Sequence, residues 1–136
     1  MKGSCRCGSV QYRFVGKPDN IILCYCKECQ LQTGSDKWFG AWIKKDNFKF
    51  IKGQPTINSR IGESGSLVNN MFCGQCGTPI CVEVTVGNFY SVSINTMEKP
   101  ESFSPQMAIY TRSAPKWASI PNDIAVFDIL PPRSNK

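Results

Sequence analysis

"FCGQCGTPICVEVTVGNFYSVSI", residues 72 to 94, holds the two signals that decide the fold. Cys73 and Cys76 form a C-x-x-C pair followed by Gly77. The turn of such a knuckle aims both sulfurs at one ion, and the glycine permits close backbone approach. Directly after it, Ile80, Val82 and Val84 alternate with Cys81, Glu83 and Thr85, the period of two expected of a strand. Gly87-Asn88 then turns the chain into "FYSVSI" (89–94), which predicts an antiparallel hairpin. A metal knuckle that opens a hairpin implies antiparallel sheets stapled by metal.

The flanking sequence continues the pattern. Val10, Tyr12 and Phe14 alternate with Gln11 and Arg13, a second half-buried strand. "WFGAWI" (38–43) and "NFKFI" (47–51) are rich in aromatic and β-branched residues, and across Lys44-Lys45-Asp46 they read as another hairpin. Glycines and prolines at 53–55, 62–65, 77–79, 100 and 105 are spaced as turns between short strands. No stretch sustains a 3.6-residue period, although Cys29 to Thr33 suits one or two helical turns. The expected class is all-β, mainly antiparallel sheets, in a single zinc-stapled domain over residues 1–130. The polar residues after Pro131-Pro132 predict a loose tail at 131–136.

The chain has 136 residues and eight cysteines, too few for a small disulfide scaffold. It opens Met-Lys-Gly-Ser-Cys without an apolar run of signal-peptide type. Nor does it hold a stretch of ~18 apolar residues suited to a membrane. These features imply a reducing, cytoplasmic setting, where clustered cysteines bind metal or do redox chemistry. There is no histidine, which excludes imidazole as ligand, base or proton shuttle. The formal net charge of +6 would fall to about +3 if two zinc ions were held by seven thiolates. Lys44, Lys45, Lys49 and Lys52 form the densest basic patch. With no run of basic residues to extend it, the patch reads as a solvated strand face, and nucleic acid is not an expected partner.

The cysteines fall at 5/7, 24/26/29, 73/76 and 81. "SCRCGS" (4–9) offers a C-x-C pair, again followed by glycine. Pairing Cys5 and Cys7 with Cys73 and Cys76 makes a closed four-cysteine site of structural type. "CYCKEC" (24–29) leaves Cys24, Cys26 and Cys29 one ligand short, and three protein ligands with an open position is the catalytic pattern. Cys81 reads as a small packed residue. It remains a possible fourth ligand, as do water, a carboxylate or a substrate sulfur. Spacing alone leaves these open.

These landmarks resemble the glutathione-dependent formaldehyde-activating enzyme family, which includes the centromere protein V-like proteins. "GSCRCGSVQYRF" is similar to the family's opening G-x-C-x-C-G-x-V-x-[YF]. "CYCKECQLQTGS" is similar to its C-H-C-x-x-C-[RK]-x-x-[ST]-G-S, and "FCGQCGTPI" to its F-C-x-x-C-G-[ST]-x-[IL]. "PQMAIYTRSAPKW" (105–117) resembles its P-x-x-H-I-[YW] segment. The resemblance implies an Mss4-like fold of antiparallel sheets with two zinc ions per chain. Cys5, Cys7, Cys73 and Cys76 would hold a structural zinc, and Cys24, Cys26 and Cys29 a catalytic one. It further implies a carbon–sulfur lyase written backwards, joining glutathione and formaldehyde into S-hydroxymethylglutathione. Two positions depart from the family pattern: Tyr25 replaces the histidine of C-H-C, and Ala108 that of P-x-x-H-I. Tyr25 is a candidate hydrogen-bond donor beside the metal, or a packing residue.

Three functions follow for comparison. The first is an enzyme that handles a thiol adduct at the Cys24/Cys26/Cys29 zinc, with a small thiol such as glutathione and an aldehyde as partners. Trp38, Trp42 and Tyr110 are its candidate pocket walls. The second is a non-catalytic zinc-stapled module that binds protein or nucleic acid. The third is dithiol redox chemistry, which lacks the βαβ context such motifs keep. The first is the expected function.

Overall fold

The computed structural model describes residues 1–132, so positions 133–136 of the expected tail lie outside the described residues. Its strands form two sheets. The smaller contains β1 (Lys2–Ser4), β2 (Gln11–Phe14) and β5 (Phe48–Lys52), all antiparallel. The larger runs in the order β11 (Ala125–Val126), β10 (Met107–Ile109), β3 (Asn20–Cys24), β4 (Trp38–Lys44), β9 (Phe89–Ser93), β8 (Pro79–Val84), β7 (Leu67–Phe72) and β6 (Thr56–Ile61). Among the described residues the parallel pairs are those of β10, with β3 on one side and β11 on the other. The all-β, mainly antiparallel class is as the sequence predicts.

The hairpin after the knuckle forms as expected, β8 against β9. A 3-10 turn over Thr85–Gly87 joins them, and Asn88 takes the left-handed conformation (φ 54°) that asparagine tolerates. The hairpin expected from 38–43 and 47–51 does not form. β4 pairs with β3 and β9, whereas β5 pairs with β2. A 3-10 turn over Lys45–Asn47 carries the chain from one sheet to the other. Phe48 then stacks on Tyr12 with ring centroids 5.0 Å apart, and meets Tyr90 of the larger sheet at 4.8 Å. Aromatic burial between the sheets outweighs the local pairing that a short connection favours.

Successive residues of a strand face opposite sides, and here this divides the cysteines. Cys81, Val92 and Ala41 are register partners across β8, β9 and β4. All three are fully buried in the main core, with Tyr12, Phe14, Ile43 and Ile80. Their neighbours Val82, Ser91 and Trp42 are likewise in register and face the other side. There lies the single helix among the described residues, α1 (Lys27–Thr33). A second apolar cluster of Ile22, Cys24, Cys29, Trp38, Val82 and Ile109 fills that side. The large sheet is therefore a partition.

The lysine patch is partly neutralised. Lys44 pairs with Asp19 at 2.9 Å, and Lys45 with Glu83. Lys49 is exposed on β5, consistent with a solvated face.

Candidate metal centres and active site

The first cysteine group joins the smaller sheet to the larger. Cys5 and Cys7 follow β1, while Cys73 and Cys76 sit in the turn between β7 and β8. The four sulfurs lie within 4.8 Å of one another, with Cys7 at 3.7 Å from both Cys5 and Cys73. Sulfurs ~2.3 Å from a tetrahedral ion stand about 3.8 Å apart, so the donor set fits a metal. Backbone donors support the sulfurs. Cys73 Sγ accepts from the N–H groups of Gln75 and Cys76, each at 3.4 Å, and Cys5 Sγ from Val10 at 3.3 Å.

The two knuckles repeat one device. Ser9 lies two residues beyond Cys7, and Thr78 two beyond Cys76; each hydroxyl is 3.1 Å from its cysteine's sulfur. That contact is the foremost reason both thiols ionise more readily than usual, Cys76 at about 5. Gly77, at φ 77°, closes the second knuckle in a conformation suited to glycine.

The second group brings Cys24, Cys26 and Cys29 together, their sulfurs also within 4.8 Å of each other. Cys24 ends β3 and Cys26 is the N-cap of α1, its sulfur accepting the Cys29 N–H at 3.4 Å. One helical turn then sets Cys29 above Cys26. Cys24 and Cys29 are buried and Cys26 is half-buried. Hydrogen bonds from Cys24 and then Cys29 hold the Cys26 thiol down at about 3. The same contact with Cys26 pushes Cys24 up to about 12, and contacts with Cys24 and Cys26 push Cys29 far up. Three close sulfurs that favour a thiolate form a fitting donor set for a thiophilic ion, and no fourth cysteine joins them. Cys81 is on the other side of the partition, its thiol 3.7 Å from the Met71 sulfur.

The candidate walls differ in what they do. Trp38 faces Cys24 in register and is buried, with its indole N–H donating to Ser91 Oγ at 3.1 Å. Only glycine fits at position 40, where a Cβ would stand 2.5 Å from that indole nitrogen. Trp42 is half-buried and packs on Phe89 at 4.6 Å. Tyr110 borders the thiol cluster alongside Ile109, although successive strand residues should face opposite ways. Its φ of 55° breaks the alternation. A bulky residue there costs on the order of 1 kcal/mol or more, a strain found at functional positions. Burial first, then the charges of Glu63, Cys24 and Cys26, raise its pKa, so the phenol keeps its proton.

Tyr25 points the other way. It is fully buried with Leu23 and Ala108, and its hydroxyl donates to the Ser119 carbonyl at 2.6 Å. The Ser119 N–H in turn donates to Asp36 at 3.0 Å, and Lys37 pairs with the same carboxylate at 3.0 Å. Gln30 of α1 reaches both the Tyr25 carbonyl (3.0 Å) and the Ser113 carbonyl (2.9 Å). Together these bonds fasten the segment that follows Tyr110.

Two hollows flank Gln32. The larger, about 710 Å³, reaches from Asp36 and Lys37 to Arg6 and Thr78. No cysteine of either group lines it. The smaller, about 300 Å³, lies between α1 (Glu28, Gln32) and the sheet (Asn58, Asn70). Sequence reasoning did not single out Arg60, two residues beyond Asn58 on the same strand face. Its charge lowers the Cys26 pKa, and it forms a 3.7 Å ion pair with Glu28.

Fold and sites together define an all-β protein with two cysteine clusters able to hold metal ions, one of four sulfurs and one of three. The chain belongs to the glutathione-dependent formaldehyde-activating enzyme family, whose model matches residues 1–113. Among solved structures it is similar to a Rhodobacter sphaeroides protein at 19% identity, over 72% of this chain and 88% of that one, with a TM-score of 0.58. That likeness supports the fold. No curated protein matches closely enough to narrow the family further.

Proposed function

We propose that the protein is a zinc-dependent carbon–sulfur lyase-type enzyme that joins a small thiol to an aldehyde, glutathione and formaldehyde being the pair its family indicates. The observation that carries this reading is the three-sulfur site of Cys24, Cys26 and Cys29, with the spare cysteine shut off behind the sheet. A zinc ion held there would depress the pKa of a substrate thiol and polarise an aldehyde oxygen. Cys5, Cys7, Cys73 and Cys76 hold a second, structural zinc in the same reading.

The net reaction balances without redox change. The thiol sulfur forms a bond to the carbonyl carbon, the π pair moves to oxygen, and oxygen gains the proton that the thiol gives up. The chain's own groups suit these demands. Tyr110 retains its proton beside the thiols and donates a hydrogen bond to the aldehyde oxygen as charge develops on it. Trp38, Ile22, Val82 and Ile109 exclude water from the buried side. Tyr25 acts at one remove by fastening the Ser113–Ser119 segment, and the missing histidines take no donor from the thiol side. Cys26→Ser is the test. Hemithioacetal formation is followed by exchange NMR with glutathione and formaldehyde, and an unchanged catalysed rate in the variant would overturn the reading.

A further inference from the structure

Arg60 is the one side chain among the described residues with a buried polar atom lacking a hydrogen-bond partner, its Nε. It stands on β6 opposite Val68, which pairs with Val84, and both valines pack beside the thiol cluster. The Glu28 oxygen at 3.7 Å gives charge balance but lies beyond hydrogen-bond reach. Two other cations are better occupied. Arg112 meets Glu63 at 2.9 Å, and Lys37 meets Asp36 at 3.0 Å. A guanidinium offers a rigid fork of donors matched to a carboxylate, and here part of that fork has nothing to donate to. The adjoining hollow presents three carboxamides, Gln32, Asn58 and Asn70, of which Asn58 and Asn70 are register partners. Carboxamides donate and accept at once, which suits peptide groups.

We propose that Arg60 is the anion-recognition residue of the thiol site: it binds a carboxylate of a peptide-like thiol whose amide groups lie along Gln32, Asn58 and Asn70. This rests on the thiol-substrate reading above and adds how the substrate is selected. A small neutral thiol gains nothing from this arrangement.

The experiment is titration calorimetry on the full chain carrying two zinc ions, with glutathione, glutathione diethyl ester and 2-mercaptoethanol. The wild type is expected to bind glutathione about tenfold or more tightly than the ester, the effect of one charge-assisted hydrogen-bonded pair. Arg60→Gln removes that preference, leaves 2-mercaptoethanol binding and zinc content unchanged, and Arg60→Lys restores part of it. Unaltered glutathione binding in Arg60→Gln overturns the proposal. So does an equal loss for all three thiols, or a loss of zinc, since Arg60 would then serve the metal cluster. A wild type that binds 2-mercaptoethanol as tightly as glutathione removes the Arg60 role and leaves the thiol reading standing. A wild type that takes up no thiol removes both.

Discussion

Tyr25 and Ala108 share one buried cluster on the side of the sheet away from the Cys24, Cys26 and Cys29 thiols. These are the two positions where the chain departs from the family's histidines, and here a large side chain lies beside a small one. Tyr25→Phe loses the bond to the Ser119 carbonyl and is expected to cost about 1 kcal/mol in urea unfolding. Zinc content and thiol affinity should stay within about twofold. A variant that keeps its stability but loses thiol binding would place the hydroxyl in the reaction itself.

Cys81 behaves as core, so Cys81→Ala should retain both metals and lose about 1–2 kcal/mol through a small cavity. Native mass spectrometry of this variant beside Cys26→Ser separates the two kinds of cysteine. One metal is expected to leave only in Cys26→Ser. A missing metal in Cys81→Ala would mean that the sheet does not keep the thiols apart.

The Tyr110 phenol is expected to matter for rate more than for metal. Tyr110→Phe should slow thiol–aldehyde addition about tenfold to a hundredfold, the range for one hydrogen bond strengthened in the transition state. Zinc content read by mass spectrometry should not change. Equal rates for variant and wild type would leave the strained backbone at Tyr110 without a catalytic purpose.

Acid should weaken the Asp36 clamp. Burial opposes the charge of Asp36, but the Ser119 N–H and the Lys37 ammonium outweigh it and hold the pKa below the usual value. A depressed folded-state pKa gives stability that is present above the unfolded value of ~3.9 and is lost as pH falls through the folded value. Asp36→Asn should be less stable than wild type at pH 7, and the gap should close on acidification. A gap that stays constant to low pH in urea unfolding would mean that the carboxylate charge is idle.

The cysteine groups were legible because ligand spacing is a local code: a C-x-x-C-G turn specifies its own geometry. Period two likewise revealed β2 and the β8–β9 hairpin, where one face of each strand is buried. It failed at β6, whose residues Thr56–Ile61 are nearly all exposed and carry no alternating signal. It also failed to choose a partner for Phe48–Lys52, because pairing depends on where Tyr12 and Tyr90 come to rest. Arg60 belongs to no motif. Its importance arises from a missing partner, which only three-dimensional neighbours reveal. The side occupied by Cys81 was implicit in the strand period, but no sequence rule said which side would hold the thiols.

The parallel pairing of Met107 with Ile22 has a kinetic meaning. It closes the longest loop in the large sheet, whereas β3–β4, β6–β7 and β8–β9 close over short connections. Long closures carry the greater entropic cost and come late when local hairpins are available. Cys24, Cys26 and Cys29 are neighbours in the chain, so they can capture an ion while Ile109 and Tyr110 are still distant. Pulse-labelled hydrogen exchange would read this order as protection at Val82 before Ile109. A nascent chain would then carry an ion-loaded but unwalled thiol cluster, exposed to any electrophile until its last strand docks.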